Sequence, residues 1–233
     1  MLVNGSHAVA ASSVGNESGI LSDIEILERL VAEDNNCIFV SPLIDPKTQL
    51  GPSSLDLRLG MELAVTRNVK ITHIDLGSPE EKIKKITRKY FDTWTIDPTW
   101  TDDPKDDFFV LHPGEFALAS TLEFIRLPLD IAARLEGRSS IGRLGLQVHA
   151  TAGFVDPGFF GTLTFELINS GRIPLTLSPG ERLGQICFFR VLDVQVGYAD
   201  KLYAKYGGSY GVELSKKHVD PENRPPGPDE EPS

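Results

Sequence analysis

The chain has 233 residues, with 23 Lys and Arg against 33 Asp and Glu, and a net charge of −10. That length holds one large domain or two small ones, and 40% hydrophobic with 24% charged residues allows a packed core and excludes wholesale disorder. The negative balance argues against sequence-independent binding to DNA or RNA, which needs many Lys and Arg on phosphates, but leaves small anionic ligands open.

In chain order, residues 1–19 are rich in Ala, Ser, Gly and Asn, show no period, and read as a flexible arm. Their start, Met1-Leu2-Val3-Asn4-Gly5-Ser6-His7, lacks the basic and apolar blocks of a secretory signal, and no run of about 18 apolar residues follows anywhere, so the expectation is a cytoplasmic protein with no membrane span. Ser22 and Glu25 form a capping-box pattern ahead of Ile24, Leu27, Leu30 and Val31 on one helical face, which predicts a helix over 22–33. Cys37 and Cys187, the only two cysteines, cannot supply a disulfide scaffold or a thiolate-rich zinc site and read as ordinary buried residues. A second capping pattern, Ser78 with Glu81, opens a charged stretch in which Ile83, Ile86 and Tyr90 share a side; a short surface helix and a solvated excursion both fit. Trp94 and Trp100 read as packing residues.

From residue 108 the pattern changes. Phe108–Leu111, Phe116–Leu122, Gly161–Ile168, Ile173–Leu177 and Gly184–Val191 are short runs rich in β-branched and aromatic residues, separated by His112-Pro113-Gly114, Asp156-Pro157-Gly158, Asn169-Ser170-Gly171 and Ser178-Pro179-Gly180. Many short strands and few helices predict an all-β domain, barrel or sandwich, over 20–219. Residues 220–233, rich in Pro and acids without a large apolar side chain, read as a disordered tail. Residues 126–216 hold 10 Lys and Arg against 8 Asp and Glu, so the acidity lies in the rest of the chain.

Two clusters carry chemistry. Glu136 to Leu146 holds Arg138 and Arg143 with Ser139 and Ser140 between them and three glycines, a set of guanidinium groups, hydroxyls and backbone amides suited to a phosphate chain, though a plain turn with solvated charges has the same composition. In the strand Gly161–Asn169, alternation puts Leu163, Phe165 and Leu167 on one face and Thr164, Glu166 and Ile168 on the other. A Glu there is solvated, paired or employed. His149, just upstream, reads as either a ligand contact or a core histidine with satisfied nitrogens, the second being the favoured reading.

Arg138-Ser139-Ser140-Ile141-Gly142-Arg143-Leu144-Gly145-Leu146, the stretch Thr151-Ala152-Gly153-Phe154-Val155-Asp156-Pro157-Gly158-Phe159, Glu166 and Pro179-Gly180-Glu181-Arg182-Leu183-Gly184-Gln185 together resemble the dCTP deaminase branch of the dUTPase superfamily. Ser53-Ser54-Leu55-Asp56-Leu57-Arg58-Leu59-Gly60 and Leu111-His112-Pro113-Gly114-Glu115 extend that resemblance, which covers about residues 20–212. It implies a homotrimer of distorted β-barrels with active sites at subunit interfaces, binding dCTP or dUTP with Mg2+ on the phosphates. It also implies that Glu166 is the general acid–base, that Ser139 and Arg143 position the water and support developing charge, and that Arg138 and Ser140 belong to the nucleotide-binding loop. Asp156 is implied at the sugar, and Tyr198 and Lys205 as nucleotide contacts of the C-terminal segment. The family's base-contacting Gln, four residues after that Lys, is Ser209 here.

The residue chemistry agrees with this resemblance. Exchanging the amine at a pyrimidine C4 for oxygen requires proton transfers from water, to N3 and to the leaving nitrogen, and one carboxylate can perform all three. The zinc deaminases use instead a metal held by His and Cys, with a Pro-Cys-x-x-Cys signature, and this chain contains no Cys-x-x-Cys. The form Ala152-Gly153-Phe154-Val155-Asp156 looks more like family members that also hydrolyse the triphosphate and release dUMP. A dUTP diphosphatase without deaminase activity is the alternative, which leaves Glu166 without a task, and a non-catalytic nucleotide-binding regulator is the remote one.

Overall fold

The computed structural model describes residues 19–66, 72–74, 76, 78, 80–91, 109–149, 151–201 and 204–220. The first helix, α1 (Asp23–Leu30), starts at the expected capping box: the Glu25 N–H donates to Ser22 Oγ at 3.3 Å, and Glu25 Oε2 accepts the Ser22 N–H at 2.8 Å. Its buried face differs from the one periodicity predicts. Ile26 is fully buried and Leu30 packs partly on the core, whereas Ile24, Leu27 and Val31 are exposed. The cause is electrostatic anchoring. Glu25 pairs with Arg190 at 2.6 Å and Arg29 pairs with Asp130. These two anchors, four residues apart, share one side of the helix and turn Ile26 inward. The Ser22 backbone N–H and the Arg190 guanidinium hold the Glu25 carboxyl down to about 2.

Strand β1 (Phe39–Ser41), the single turn α2 (Pro46–Gln49) and strand β2 (Leu55–Thr66) follow. The charged stretch forms a short surface helix, α3 (Glu80–Ile86), with no buried residue. It stops before Tyr90, because Thr87 to Phe91 form β3 on the edge of β2, with Thr87 opposite Thr66. Thr87, Tyr90 and Phe91, β-branched and aromatic, favour that pairing over another helical turn. Trp94, Trp100 and most of the two terminal segments lie outside the described residues.

The remaining elements are β4 (Phe109–Leu111), β5 (Phe116–Arg126), β6 (Ile131–Gly137), α4 (Ser139–Gly142), β7 (Leu146–Val148), β8 (Phe154–Val155), β9 (Phe160–Asn169), β10 (Leu175–Leu177) and β11 (Arg182–Arg190). Each apolar run predicted after residue 108 contains or overlaps one of these strands. Seven strands pair in the order β7-β9-β5-β2-β11-β6-β8, with β1 added on β5 and β3 on β2, while β4 and β10 form a separate pair. Among the described residues every pairing between these named strands is antiparallel.

Long strands change partners along their length, and this curls the sheet. The first part of β2 lies on β11 and the second on β5 and β3, with register shifts between Leu59 and Leu63 and, in β5, between Ser120 and Phe124. Such irregularities increase local twist and bend a strand. Gly60 sits at this crossing, where a Cβ would lie 2.5 Å from Ser120 Oγ and 2.8 Å from the Thr121 carbonyl oxygen. The curl encloses Leu55, Leu57 and Leu59 of β2, Phe165 and Leu167 of β9, and Ile186 and Phe188 of β11. The fold is thus mostly β with few helices, as expected, and the sheet curls into a half-barrel. Cys37 and Cys187 are free and half-buried rather than fully enclosed.

One buried acid escapes sequence reading. Glu123, in β5 beside the register shift, has no exposed surface. Its Oε2 accepts the Arg58 N–H at 2.9 Å and its Oε1 accepts Gln49 Nε2–H at 3.1 Å. Burial pushes its carboxyl from 4.5 up to about 7. Between those values the folded state binds a proton that the unfolded state has released, so stability falls as pH rises through this window, by on the order of 3 kcal/mol. Urea titrations at pH 5 and pH 8 are expected to show this loss in the wild type and a flatter response in Glu123→Gln. Parallel responses in the two proteins would contradict the assignment.

Candidate active site

Alternation along β9 is as predicted: Leu163, Phe165 and Leu167 are buried in the barrel, while Thr164, Glu166 and Ile168 face outward and are only partly covered. On that outer side lies a cavity of about 430 Å3, within the range of small-ligand sites. Glu166, Asp156 and Tyr198 line it, with His149, Ser209 and Glu213, against an apolar wall that includes Phe116, Leu118, Phe154 and Phe159.

Each polar group is set by its element. β7 pairs with β9, and the His149 N–H donates to the Glu166 carbonyl at 3.1 Å, which fixes the backbone at Glu166. The Glu166 carboxylate itself forms no hydrogen bond with a described residue. Asp156 opens the Asp-Pro-Gly turn between β8 and β9 and pairs with Lys201 Nζ at 3.0 Å. Gly158 in that turn has φ +77, and a Cβ there would meet Gly197 Cα at 3.0 Å, so only glycine lets the two loops meet. The Tyr198 N–H donates to the Pro157 carbonyl at 2.7 Å. The Tyr198 ring packs against Phe159, and its hydroxyl accepts the N–H groups of Lys205 and Tyr206 at 3.2 and 3.0 Å.

The C-terminal segment then lies along the same strand. The Thr162 N–H donates to the Ser209 carbonyl at 2.9 Å, the Gly211 N–H to Thr162 Oγ1 at 3.0 Å and the Val212 N–H to Glu62 Oε2 at 2.8 Å. Val212 and Leu214 are buried against Ala64, with Ile83 and Leu118 beside them. This packing carries Ser209 and Glu213 over the cavity.

The other predicted residues sit apart. Ser139, Ser140 and Arg143 belong to α4 and its C-cap, are exposed, and are not among the lining residues. Arg143 forms no side-chain hydrogen bond with a described residue. Arg138, the α4 N-cap, is tied inward: its Nε pairs with Asp56 Oδ2 at 3.1 Å and its Nη1 donates to the Arg182 carbonyl at 3.0 Å, while Arg182 also reaches Asp56. Lys205 adjoins the cavity through its backbone bond to Tyr198, but its ammonium pairs with Asp220. One chain therefore assembles Glu166, Asp156 and Tyr198 and leaves the Arg/Ser loop elsewhere on its surface.

Two lining residues correct or extend the sequence reading. His149 is not a satisfied core histidine: both ring nitrogens are buried without a hydrogen-bond partner, and its backbone has φ +66. A non-glycine residue in that region is strained, and such strain clusters at ligand sites. Glu213 had no sequence signal, since nothing periodic marks its segment as part of the barrel. Among the described residues no group of three or more His, Cys, Asp or Glu converges on one point, and no helix is long and apolar enough to cross a membrane.

Comparison with known proteins bears on the fold and the family. The family model described as dCTP deaminase-like matches residues 20–191. The chain is 40% identical over 202 residues to the dUMP-forming dCTP deaminase of Corynebacterium kroppenstedtii, covering 86% of this chain and 98% of that one. It is 45% identical over 169 residues to the enzyme of the same name from Methanothermobacter thermautotrophicus, covering 72% and 78%. In three dimensions it resembles the crystal structure of the 2'-deoxycytidine 5'-triphosphate deaminase from Agrobacterium tumefaciens, with a TM-score of 0.53 at 24% identity over 75% of this chain and 49% of that one, a likeness of fold. A family match across most of the chain, with relatives at least 40% identical over 78% or more of their own length, means that the chain belongs to the dCTP deaminase-like family.

Proposed function

We propose that this protein deaminates dCTP hydrolytically and cleaves the triphosphate, releasing dUMP, diphosphate and ammonia. The observation that carries the reading is Glu166, an acid presented in the middle of β9 to a nucleotide-sized cavity and bonded to no described side chain. A water oxygen adds to C4 of the base as Glu166 takes one of its protons and delivers it to N3. The second proton passes from the new C4 hydroxyl through Glu166 to the amine. The C4–N bond then breaks, ammonia leaves and C4 keeps a carbonyl oxygen. Raising and lowering one carboxyl's proton in a partly dry pocket is ordinary general acid–base catalysis.

Ser139 and Arg143 position that water and support the charge that develops, Arg138 and Ser140 hold phosphates, and Asp156 meets the sugar. Asp156 and its loop also serve the second water, which attacks the α-phosphorus and breaks its bond to the bridging oxygen, so that diphosphate leaves. Tyr198 and Lys205 bring the C-terminal segment to the nucleotide, Lys205 exchanging Asp220 for it. Because the α4 loop of one chain lies away from its own cavity, the active assembly is a homotrimer in which α4 of one copy completes the site of the next. The exposure of Ser139, Ser140 and Arg143 supports this arrangement.

The residues present suit a magnesium ion carried on the substrate rather than caged by the chain. Mg2+ takes most of its ligands from phosphate and water, with one or two carboxylates at most, and Asp156 is the cavity carboxylate beside the sugar and phosphates in this reading. When bound, such an ion would supply positive charge to offset that of the phosphates, with Asp156 as the carboxylate that would face it. Incubation with dCTP and magnesium is expected to give dUMP and diphosphate. Accumulation of dUTP alone would restrict the protein to deamination.

A further inference from the structure

One carboxylate stands behind the Arg/Ser loop, and the reaction gives it no task. Asp56 in β2, Gln185 in β11 and Glu136 in β6 lie opposite one another in a row across three neighbouring strands. Arg138 follows Glu136 by two residues, and its side chain spans β11 to reach Asp56, Nε pairing with Oδ2 at 3.1 Å. The same oxygen accepts the Arg182 Nη1–H at 3.1 Å. Asp56 is itself fixed, because Arg182 Nη1 also donates to the Thr48 carbonyl at 2.6 Å and Gln49 Nε2 donates to the Asp56 carbonyl at 3.0 Å. Arg138 is thus held along its whole length: its N–H donates to the Leu183 carbonyl at 3.2 Å and its Nη1 to the Arg182 carbonyl at 3.0 Å. Its Nη2 forms no hydrogen bond with a described residue. The Asp56 and Arg138 side chains are 14% and 26% exposed, so salt screens this pair less than a surface pair.

An arginine whose rotamer is already fixed loses less freedom on binding an anion than one that must be ordered by it. Two guanidinium groups share the one carboxylate, so the cluster keeps a positive charge for an incoming anion. Resting on the function proposed above, in which Arg138 holds phosphates, we infer that Asp56 is a positioning residue that fixes the Arg138 guanidinium with Nη2 left for a phosphate oxygen of the nucleotide. Asp56 does not touch the nucleotide. Its charge alone acts in the opposite direction, since a carboxylate near a triphosphate repels it and its removal tightens binding. Positioning and repulsion therefore predict changes of opposite sign.

The test is ammonia release from dCTP by the full chain, with KM and kcat read separately. Asp56→Asn keeps the shape and is expected to raise KM about tenfold, the scale of one hydrogen bond to a charged group. Because the lost interaction binds substrate and transition state alike, kcat is expected to stay within about twofold of wild type. Arg138→Lys keeps the charge but has no planar fork to divide between Asp56 and a phosphate, and is expected to raise KM at least as much. In the double variant the two effects are expected not to add, since each removes the same arrangement. If Asp56→Asn yields no folded protein, Asp56→Glu takes its place: it moves the guanidinium by one methylene and is expected to raise KM with kcat kept. A KM equal to or below wild type in the Asp56 variant, a fall in kcat at unchanged KM, or fully additive effects in the double variant overturns the inference and leaves dCTP deamination standing. Absence of ammonia release by the wild type overturns the parent reading, and this inference with it.

Discussion

Glu166→Gln is expected to reduce ammonia release from dCTP by about a hundredfold to ten-thousandfold, the range that a positioned general acid–base contributes. The substitution keeps size and shape and removes the exchangeable proton. Because the carboxylate bonds no described side chain, no partner is orphaned. The backbone of β9 is held independently by β5 and β7. Thermal stability is therefore expected to stay within about 0.5 kcal/mol of wild type, as for surface changes away from special contacts. Calorimetric binding of dCTP should persist. Loss of activity together with loss of fold would point to a structural role, and wild-type turnover would remove Glu166 from the mechanism.

The second expectation tests where the site is built. Arg143→Ala, like Glu166→Gln, is expected to be inactive by itself. Co-expressed with distinct tags and isolated as mixed trimers, the two variants are expected to recover about a third of wild-type activity. In a cyclic trimer with one site per interface, each site takes Glu166 from one copy and Arg143 from its neighbour, so every mixed trimer holds both wild-type residues at about one site in three. If all the residues of a site came from one chain, no mixture would recover anything. The exposed position of Arg143 and its absence from the cavity wall favour the first outcome.

How far the sequence carried the reading depends on the physics at each residue. The β9 alternation was legible because period 2 survives intact through Leu163, Phe165 and Leu167. The α1 cap was legible because a capping box is local. Its buried face was not, because Arg190 and Asp130, far away in sequence, decide which side turns inward. Glu123 was hidden for a similar reason: the register shift in β5 makes Ala119, Ser120 and Thr121 all buried, which breaks the alternation just before it. The motifs named Glu166, Asp156 and Tyr198, and the cavity gathers them. They also named Ser139 and Arg143, yet motif spacing along one chain carries no information about which copy's cavity those residues serve. Glu213 and the unpartnered ring of His149 depend on where a non-periodic segment and a strained corner land, and only three-dimensional packing specifies that.

The central claim is that one cavity converts dCTP to dUMP, and nucleotide and ammonia analysis on a single sample tests it most directly. With dCTP and magnesium, the account predicts ammonia, dUMP and diphosphate in equal amounts. Consumption of dUTP by the same protein while dCTP survives and no ammonia appears would contradict it.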